Sequence, residues 1–394
     1  MEMLSLFDLM PDEEAEKYKP IKSTDWKWTM ANDYPKEKNG LKVFSCFACG
    51  GGSTMGYKLA GCEVIGCCEI DPKMNEVYVK NHHPKHNFLM DIREFNKTPN
   101  EELPPELFNL DILDGSPPCT TFSTVGDREE TWGKKKKFRE GQAEQTLDDL
   151  SFIFGETVAK LRPKVVIMEN VEGLIKGEAW SYVQKIYKQF RDIGYCMKHW
   201  LLKGETMGVP QKRHRVFFIA VRDDIEFDYD SLNMYFSYYP IPYSEIETGE
   251  HKIEKGKKAE FARLARRGDI NLLRISREID GKDNFFSERV LWKNDVTWAI
   301  TANGSGIWVE NFGYRINDAE IISASTFPQD YDFLGEKIMY VCGMSAPPVM
   351  IKRIVTRLIE SGLFDYKVDC PYTSLPLGDA GRGCATEILG GDHD

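Results

Sequence analysis

Short runs of β-branched and aliphatic residues occupy positions 41–47, 63–70, 110–113, 165–168 and 216–221, and segments of helical character lie between several of them. Strands alternating with helices predict an α/β fold with a doubly wound parallel sheet. Residues 1–40 are polar and lack a sustained period, which sets them apart as an N-terminal extension. From 223 to 334 the βα rhythm gives way to mixed aromatic and basic residues, marking a second domain, and 335–366 rejoins the first. Within that return, 349–363 reads as an amphipathic helix, whereas 367–394 reads as a loose tail. No internal repeat interrupts this plan.

Length and composition permit an enzyme without naming one, because 394 residues at 42% hydrophobic content can bury two cores. No run approaches a membrane span, and the acidic residues from Asp12 onward cut short any signal peptide, so the expectation is a cytoplasmic protein. Ten cysteines without extracellular spacing fit a reducing compartment and predict no disulfides. A net charge of -11 excludes indiscriminate nucleic-acid binding by the whole surface, though a local basic face can still hold phosphates.

The first chemical signal is the glycine-rich turn Phe47-Ala48-Cys49-Gly50-Gly51-Gly52-Ser53-Thr54-Met55-Gly56, which joins the first strand to a helix. Small residues there let a ligand approach the backbone and the helix amino terminus, although a purely structural turn has the same look. Glu69, about twenty residues on at the end of the second strand, is placed to accept ribose hydroxyls, and Asp91 could take an adenine amino group. Together they favour a nucleoside-type cofactor. Cys46 and Cys49 have dithiol spacing, but adjacent Cys67 and Cys68 cannot supply the other half of a zinc site, so all four are expected to be core or turn residues. His82, His83 and His86 are expected to be solvated histidines, and no metal is predicted.

The second signal is Asp114-Gly115-Ser116-Pro117-Pro118-Cys119, which presents a thiol on a rigid turn after an apolar strand. The carboxyl edge of a parallel sheet is where such enzymes keep reactive groups, making Cys119 the candidate nucleophile. Glu169-Asn170-Val171 puts an acid at another strand end, and Arg213 and Arg215, two apart on an extended segment, are expected to form one cationic surface. Between them, the loop 126–141 carries Lys134-Lys135-Lys136-Lys137-Phe138-Arg139, which is either a solvated face or a lid closing on a polyanion; the lid is the reading favoured here.

Taken together these motifs resemble the cytosine carbon-5 DNA methyltransferases, over about 41–222 and 298–363. The glycine turn is similar to that family's S-adenosylmethionine loop in a Rossmann-like sheet, Pro117-Pro118-Cys119 to its catalytic Pro-Cys, Glu169-Asn170-Val171 to its Glu-Asn-Val, and Gln211-x-Arg213-x-Arg215 to its Gln-x-Arg-x-Arg. Ser325-Thr326-Phe327-Pro328 with Glu320 resembles the ninth motif, and the segment from Gly343 through Ser345 to Pro348 the tenth. The resemblance implies a catalytic set of Cys119, Glu169, Arg213 and Arg215. It implies a cofactor pocket lined by Phe47, Ala48, Gly50, Gly51, Gly52, Glu69, Ile70, Asp91, Ile92, Ser116, Pro118, Asn170 and Ser345. Cys49, Thr120, Ala319 and Met344 depart from the family pattern and bear on loop geometry more than on the reaction.

What the resemblance implies chemically is addition of the Cys119 thiolate to ring carbon 6 of a flipped-out cytosine, with protonated Glu169 at ring nitrogen 3 and Arg215 at the carbonyl oxygen or a phosphate. The substrate would be double-stranded DNA acted on by a monomer, with tRNA as the alternative. Residues 251–294 carry twelve Lys/Arg against seven Asp/Glu, a local +5 that suits DNA reading or merely a soluble face. Expected DNA contacts are Ser123, Lys134, Lys135, Arg139, Gln211, Lys257, Lys258, Arg266 and Arg267. Finally, Met3-Leu4-Ser5-Leu6-Phe7 resembles the short peptides by which bacterial proteins dock on the replication sliding clamp; an anchor on the protein's own surface is the competing reading.

Overall fold

A computed structural model describes residues 22–118, 149–302, 304 and 306–365. Cys119, Ser123, Lys134, Lys135 and Arg139, the loop 126–141 and the segment Met3 to Phe7 lie outside the described residues. The first half alternates β1 (Lys42–Cys46), α1 (Gly52–Leu59), β2 (Glu63–Glu69), α2 (Pro72–His82), β3 (His86–Leu89), α3 (Ile92–Lys97) and β4 (Ile112–Gly115). There follow α4 (Leu150–Leu161), β5 (Val165–Val171), α5 (Trp180–Asp192), β6 (Tyr195–Lys203), β7 (Gln211–Lys212) and β8 (His214–Arg222).

The main sheet has the order β3-β2-β1-β4-β5-β8-β6. The first five strands are parallel, as expected, but β8 runs antiparallel to both β5 and β6, so the sheet is mixed. The cause is the link from Lys203 to His214, which is shorter than the dozen or more residues that a crossover to a parallel neighbour demands. Alternation along the strands feeds both faces. Val166 and Met168 of β5 and Phe218 and Ala220 of β8 pack with α4 and α5, whereas Val165, Ile167, Phe217, Ile219 and Val221 pack under the last helix.

Beyond β8 come α6 (Lys257–Arg263), α7 (Leu273–Asp280), β9 (Arg289–Leu291), β10 (Thr297–Trp298), β11 (Ile307–Val309) and α8 (Asp318–Ala324). Then α9 (Ile338–Met344) and α10 (Pro348–Glu360) return to the sheet. The stretch Ile338–Glu360 is apolar enough to cross a membrane by composition, yet 61% of its most apolar window is buried inside the molecule. Ala259, Phe261, Leu272, Ile275, Val290 and Trp308 form a separate small core in the stretch beyond β8. A further cluster joins the halves: Trp26 and Trp28 of the N-terminal extension are buried with Met55 of α1 and Phe327, and the Trp28 indole donates to the Thr326 carbonyl at 2.8 Å.

Candidate active site

The glycine turn occupies the carboxyl end of β1. Gly51 caps α1 at φ +78°, and a Cβ there would lie 2.1 Å from His82 Nε2, so only glycine fits. A Cβ on Gly52 would lie 2.3 Å from the Ala346 carbonyl, which shows how closely the Ser345–Ala346 backbone folds onto the loop. The Gly50 carbonyl accepts from the Tyr331 hydroxyl and lies 3.2 Å from His82 Nε2. His82 is therefore not solvated as expected: it is buried against Tyr78, and desolvation drives its pKa down to about 3. His83 is exposed and His86 is half-buried beside Glu106.

Glu69 ends β2 with its carboxylate almost fully buried. Oε2 accepts from Cys49 N at 2.7 Å, and Oε1 accepts from Ile70 N and Asp71 N at 2.8 Å each. Burial raises its pKa, while the backbone donors oppose that rise. Three of roughly four carboxylate acceptor positions are thus used by the protein, leaving one on Oε2. Asp91 caps α3 by accepting from Arg93 N at 2.8 Å and is paired with the Arg93 guanidinium at 3.2 Å. Ile92 is buried, and Phe47 and Ile70 are half-buried. The acids and the turn therefore line successive carboxyl ends of β1, β2 and β3, an arrangement that fits a nucleoside with a hydroxylated sugar. Cys46, Cys67 and Cys68 are core residues, and burial lifts all three thiols.

The rim continues to β4 and β5, where Asn170 donates to the Pro117 carbonyl at 3.3 Å and accepts from Val171 N at 2.8 Å. One side chain thus ties β5 to the backbone that follows β4. Glu169 pairs with Arg215 across the antiparallel β5–β8 register, Nε to Oε1 at 2.8 Å, and Arg215 also donates to the His214 carbonyl. His214 is held between Glu205 at 2.7 Å and Glu172 at 3.5 Å, and the Glu205 hydrogen bond raises its pKa.

Arg213 and Arg215 do not form one surface. The chain breaks between β7 and β8 at Arg213, whose side chain turns inward and donates to the carbonyls of Ile300 (3.0 Å), Gly343 (3.0 Å) and Ser345 (2.8 Å). Desolvation lowers the pKa of this buried guanidinium to about 9, which still leaves it charged near neutrality. Gln211 is also fully buried, accepting from Ile300 N and donating to the Ala324 carbonyl, so its side chain is spent inside the protein and not on the surface. Beyond β8 the expected contacts Lys257, Lys258 and Arg267 carry ion pairs with Asp280 (2.5 Å), Glu288 (2.6 Å) and Asp295 (2.9 Å), and these three and Arg266 are all exposed.

Sequence reasoning does not single out Asp114 as a functional residue. Its buried carboxylate accepts from Ser45 Oγ and Ser53 Oγ at 2.7 Å and from Tyr57 Oη at 3.0 Å, tying β1 and the glycine helix to the strand before Cys119. Desolvation raises its pKa to about 6 against three opposing hydrogen bonds. An acid inside an apolar strand run is the available signal. Tyr331, which anchors Gly50 from far along the chain, has none.

The C-5 cytosine-specific DNA methylase family model matches residues 41–360. The Type II methyltransferase M.HindV of Haemophilus influenzae is 33% identical over 46% of this chain and 53% of its own length. M.NgoPII of Neisseria gonorrhoeae is 29% identical over 50% and 52% respectively. The chain thus spans about half the length of these curated relatives, while M.NgoFVII of the same organism aligns at 25% over 84% of this chain and 90% of its own. A prophage-encoded Escherichia coli DNA modification methyltransferase shares the fold at TM-score 0.57 and 18% identity, covering 83% of this chain and all of that one. A Spodoptera frugiperda DNMT2 variant does so at 0.56 and 15%, covering 81% and all of its own chain.

Proposed function

Because the chain belongs to the C-5 cytosine-specific DNA methylase family, we propose that it methylates carbon 5 of cytosine in a specific sequence of double-stranded DNA. The observation that carries this reading is the shared rim. Asn170 clamps Pro117 two residues before Cys119, and the Glu169–Arg215 pair stands at the end of the neighbouring strand. S-adenosylmethionine, when bound, supplies an electrophilic methyl on a sulfonium. Gly50 to Gly52, Glu69 and Asp91 would hold it, with Glu69 Oε2 offering its remaining acceptor position to a ribose hydroxyl.

A stacked base hides both faces, so the cytosine must leave the duplex. The Cys119 thiolate then adds to ring carbon 6, breaking the 5,6 double bond and making carbon 5 nucleophilic. Glu169, having taken a proton from solvent on the oxygen that Arg215 does not hold, donates it to ring nitrogen 3 as negative charge develops there, and Arg215, fixed by Glu169 and the His214 carbonyl, holds the carbonyl oxygen or a neighbouring phosphate. Once carbon 5 carries the methyl, a water or hydroxide takes its proton, the 5,6 bond re-forms and the thiolate leaves.

Duplex DNA containing 5-fluorocytosine blocks that last proton loss and should trap a covalent complex with the wild-type chain but not with Cys119→Ser. Tritiated methyl incorporation should favour duplex DNA over tRNA. A tRNA-only product, or N-methylated cytosine, would overturn the proposal.

A further inference from the structure

The basic residues between 251 and 294 are, with one exception, either ion-paired or exposed. Lys257, Lys258, Arg267, Arg274, Arg277 and Lys293 are each neutralised by a carboxylate within 2.5–2.9 Å. The +5 excess read from the sequence is therefore concentrated elsewhere. Lys252, Lys255, Arg266 and Lys282 are exposed, where water suffices to solvate them.

Lys212 and Arg289 are different, being half-buried while forming no ion pair among the described residues. Both lie over one ring: Lys212 Nζ is 4.5 Å and the Arg289 guanidinium carbon 5.2 Å from the Trp298 centroid. Arg289 is also 5.2 Å from the ring of Phe286, which is 59% exposed. The Trp298 indole is fixed by donating to the Val290 carbonyl at 2.6 Å, and β10 pairs with β7, so Trp298 sits in register with Lys212. Partial desolvation lowers the Arg289 pKa. An aromatic face returns only part of the hydration that a cation gives up, and no carboxylate among the described residues completes the shell. Such a site is built for an anion that arrives from outside.

Its place narrows the anion's identity. Lys212 immediately precedes Arg213 and lies three residues before Arg215, whose partner Glu169 is on the catalytic rim. The cation pair is therefore joined through only two residues of backbone to the strand position that carries Arg215. We propose that Lys212 and Arg289, mounted on Trp298, clamp consecutive phosphates of the DNA strand that enters the active site. Phe286 flanks the clamp as an apolar contact for a sugar or base. This deepens the DNA reading above and rests on it for the identity of the polyanion.

The test is the salt dependence of binding to a fluorescein-labelled random-sequence duplex, followed by anisotropy. Lys212→Gln and Arg289→Gln should each reduce the slope of log affinity against log salt by about 1, and together they should weaken binding roughly 10- to 100-fold at low salt. Arg289→Lys should recover the slope. Arg277→Gln, whose side chain is committed to Asp283, should leave it unchanged. Circular dichroism checks that each variant folds; if the double variant does not, the single variants decide. An unchanged slope in folded variants overturns the clamp, as does a wild-type chain with no affinity for DNA. Because binding needs no turnover, a wild-type chain that traps no 5-fluorocytosine adduct but loses salt dependence on substitution would sink the methylation reading and keep the clamp.

Discussion

Replacing Asp114 by asparagine isolates the cost of one buried charge. The carboxylate is 2% exposed and its pKa is raised to about 6 from an ordinary 3.8, with burial as the main cause. For an acid whose folded pKa is raised, the folded state holds the proton more tightly. Its contribution is therefore least unfavourable below about pH 4, and stability is lost as pH rises through the window from 3.8 to 6. About 2 pH units at 1.36 kcal/mol each put the full penalty near 3 kcal/mol, of which about 1.4 kcal/mol develops between pH 5 and pH 8. The substitution Asp114→Asn keeps the shape of the side chain and removes its ability to ionise. Urea denaturation of both proteins at pH 5 and pH 8 should show the difference in unfolding free energy moving by about 1–1.5 kcal/mol in favour of the variant at the higher pH, because other titrating groups cancel. A difference that stays constant with pH would mean that the charge is solvated better than its burial suggests.

Gly51→Ala forces a side chain into a left-handed turn and onto the His82 ring, and should cost about 2 kcal/mol or more of stability while abolishing S-adenosylmethionine binding in calorimetry. Arg213→Lys replaces three carbonyl contacts with fewer and should cost roughly 1–3 kcal/mol in urea denaturation; an unchanged midpoint would show that those carbonyls find water instead.

The sheet is legible where strands are buried on both faces, since 41–47, 63–70 and 165–168 overlap β1, β2 and β5. The edge strands are not. β3 is four residues of alternating exposure, and β6 carries Lys198 and His199 within its run, so neither looks apolar in sequence. Strand direction at β8 escapes a reading of residues because it depends on the length of the link from β6, not on any side chain. At the site, Glu69 and Asn170 fall where spacing puts them, since each ends a buried strand. The inward turn of Gln211 and Arg213 is hidden because their acceptors, such as the carbonyls of Ile300 and Ala324, come from distant segments. Counter-ions are hidden for the same reason: the basic run shows a surplus, and only the fold reveals that Lys258 has Glu288 beside it.

The helix that follows the glycine turn is covered by α10, with Gly56 facing Ile351 so closely that a Cβ would lie 2.4 Å from it. On a ribosome adding roughly 5–20 residues per second, about 290 residues separate the synthesis of these two helices, a delay of roughly 15–60 s. Throughout that interval the nascent chain carries an apolar helix face with nothing to cover it. The half that carries the glycine turn thus cannot close its core until α10 has been made, and a chain truncated before Pro348 would leave the ribosome as a client for chaperones rather than as a folded protein.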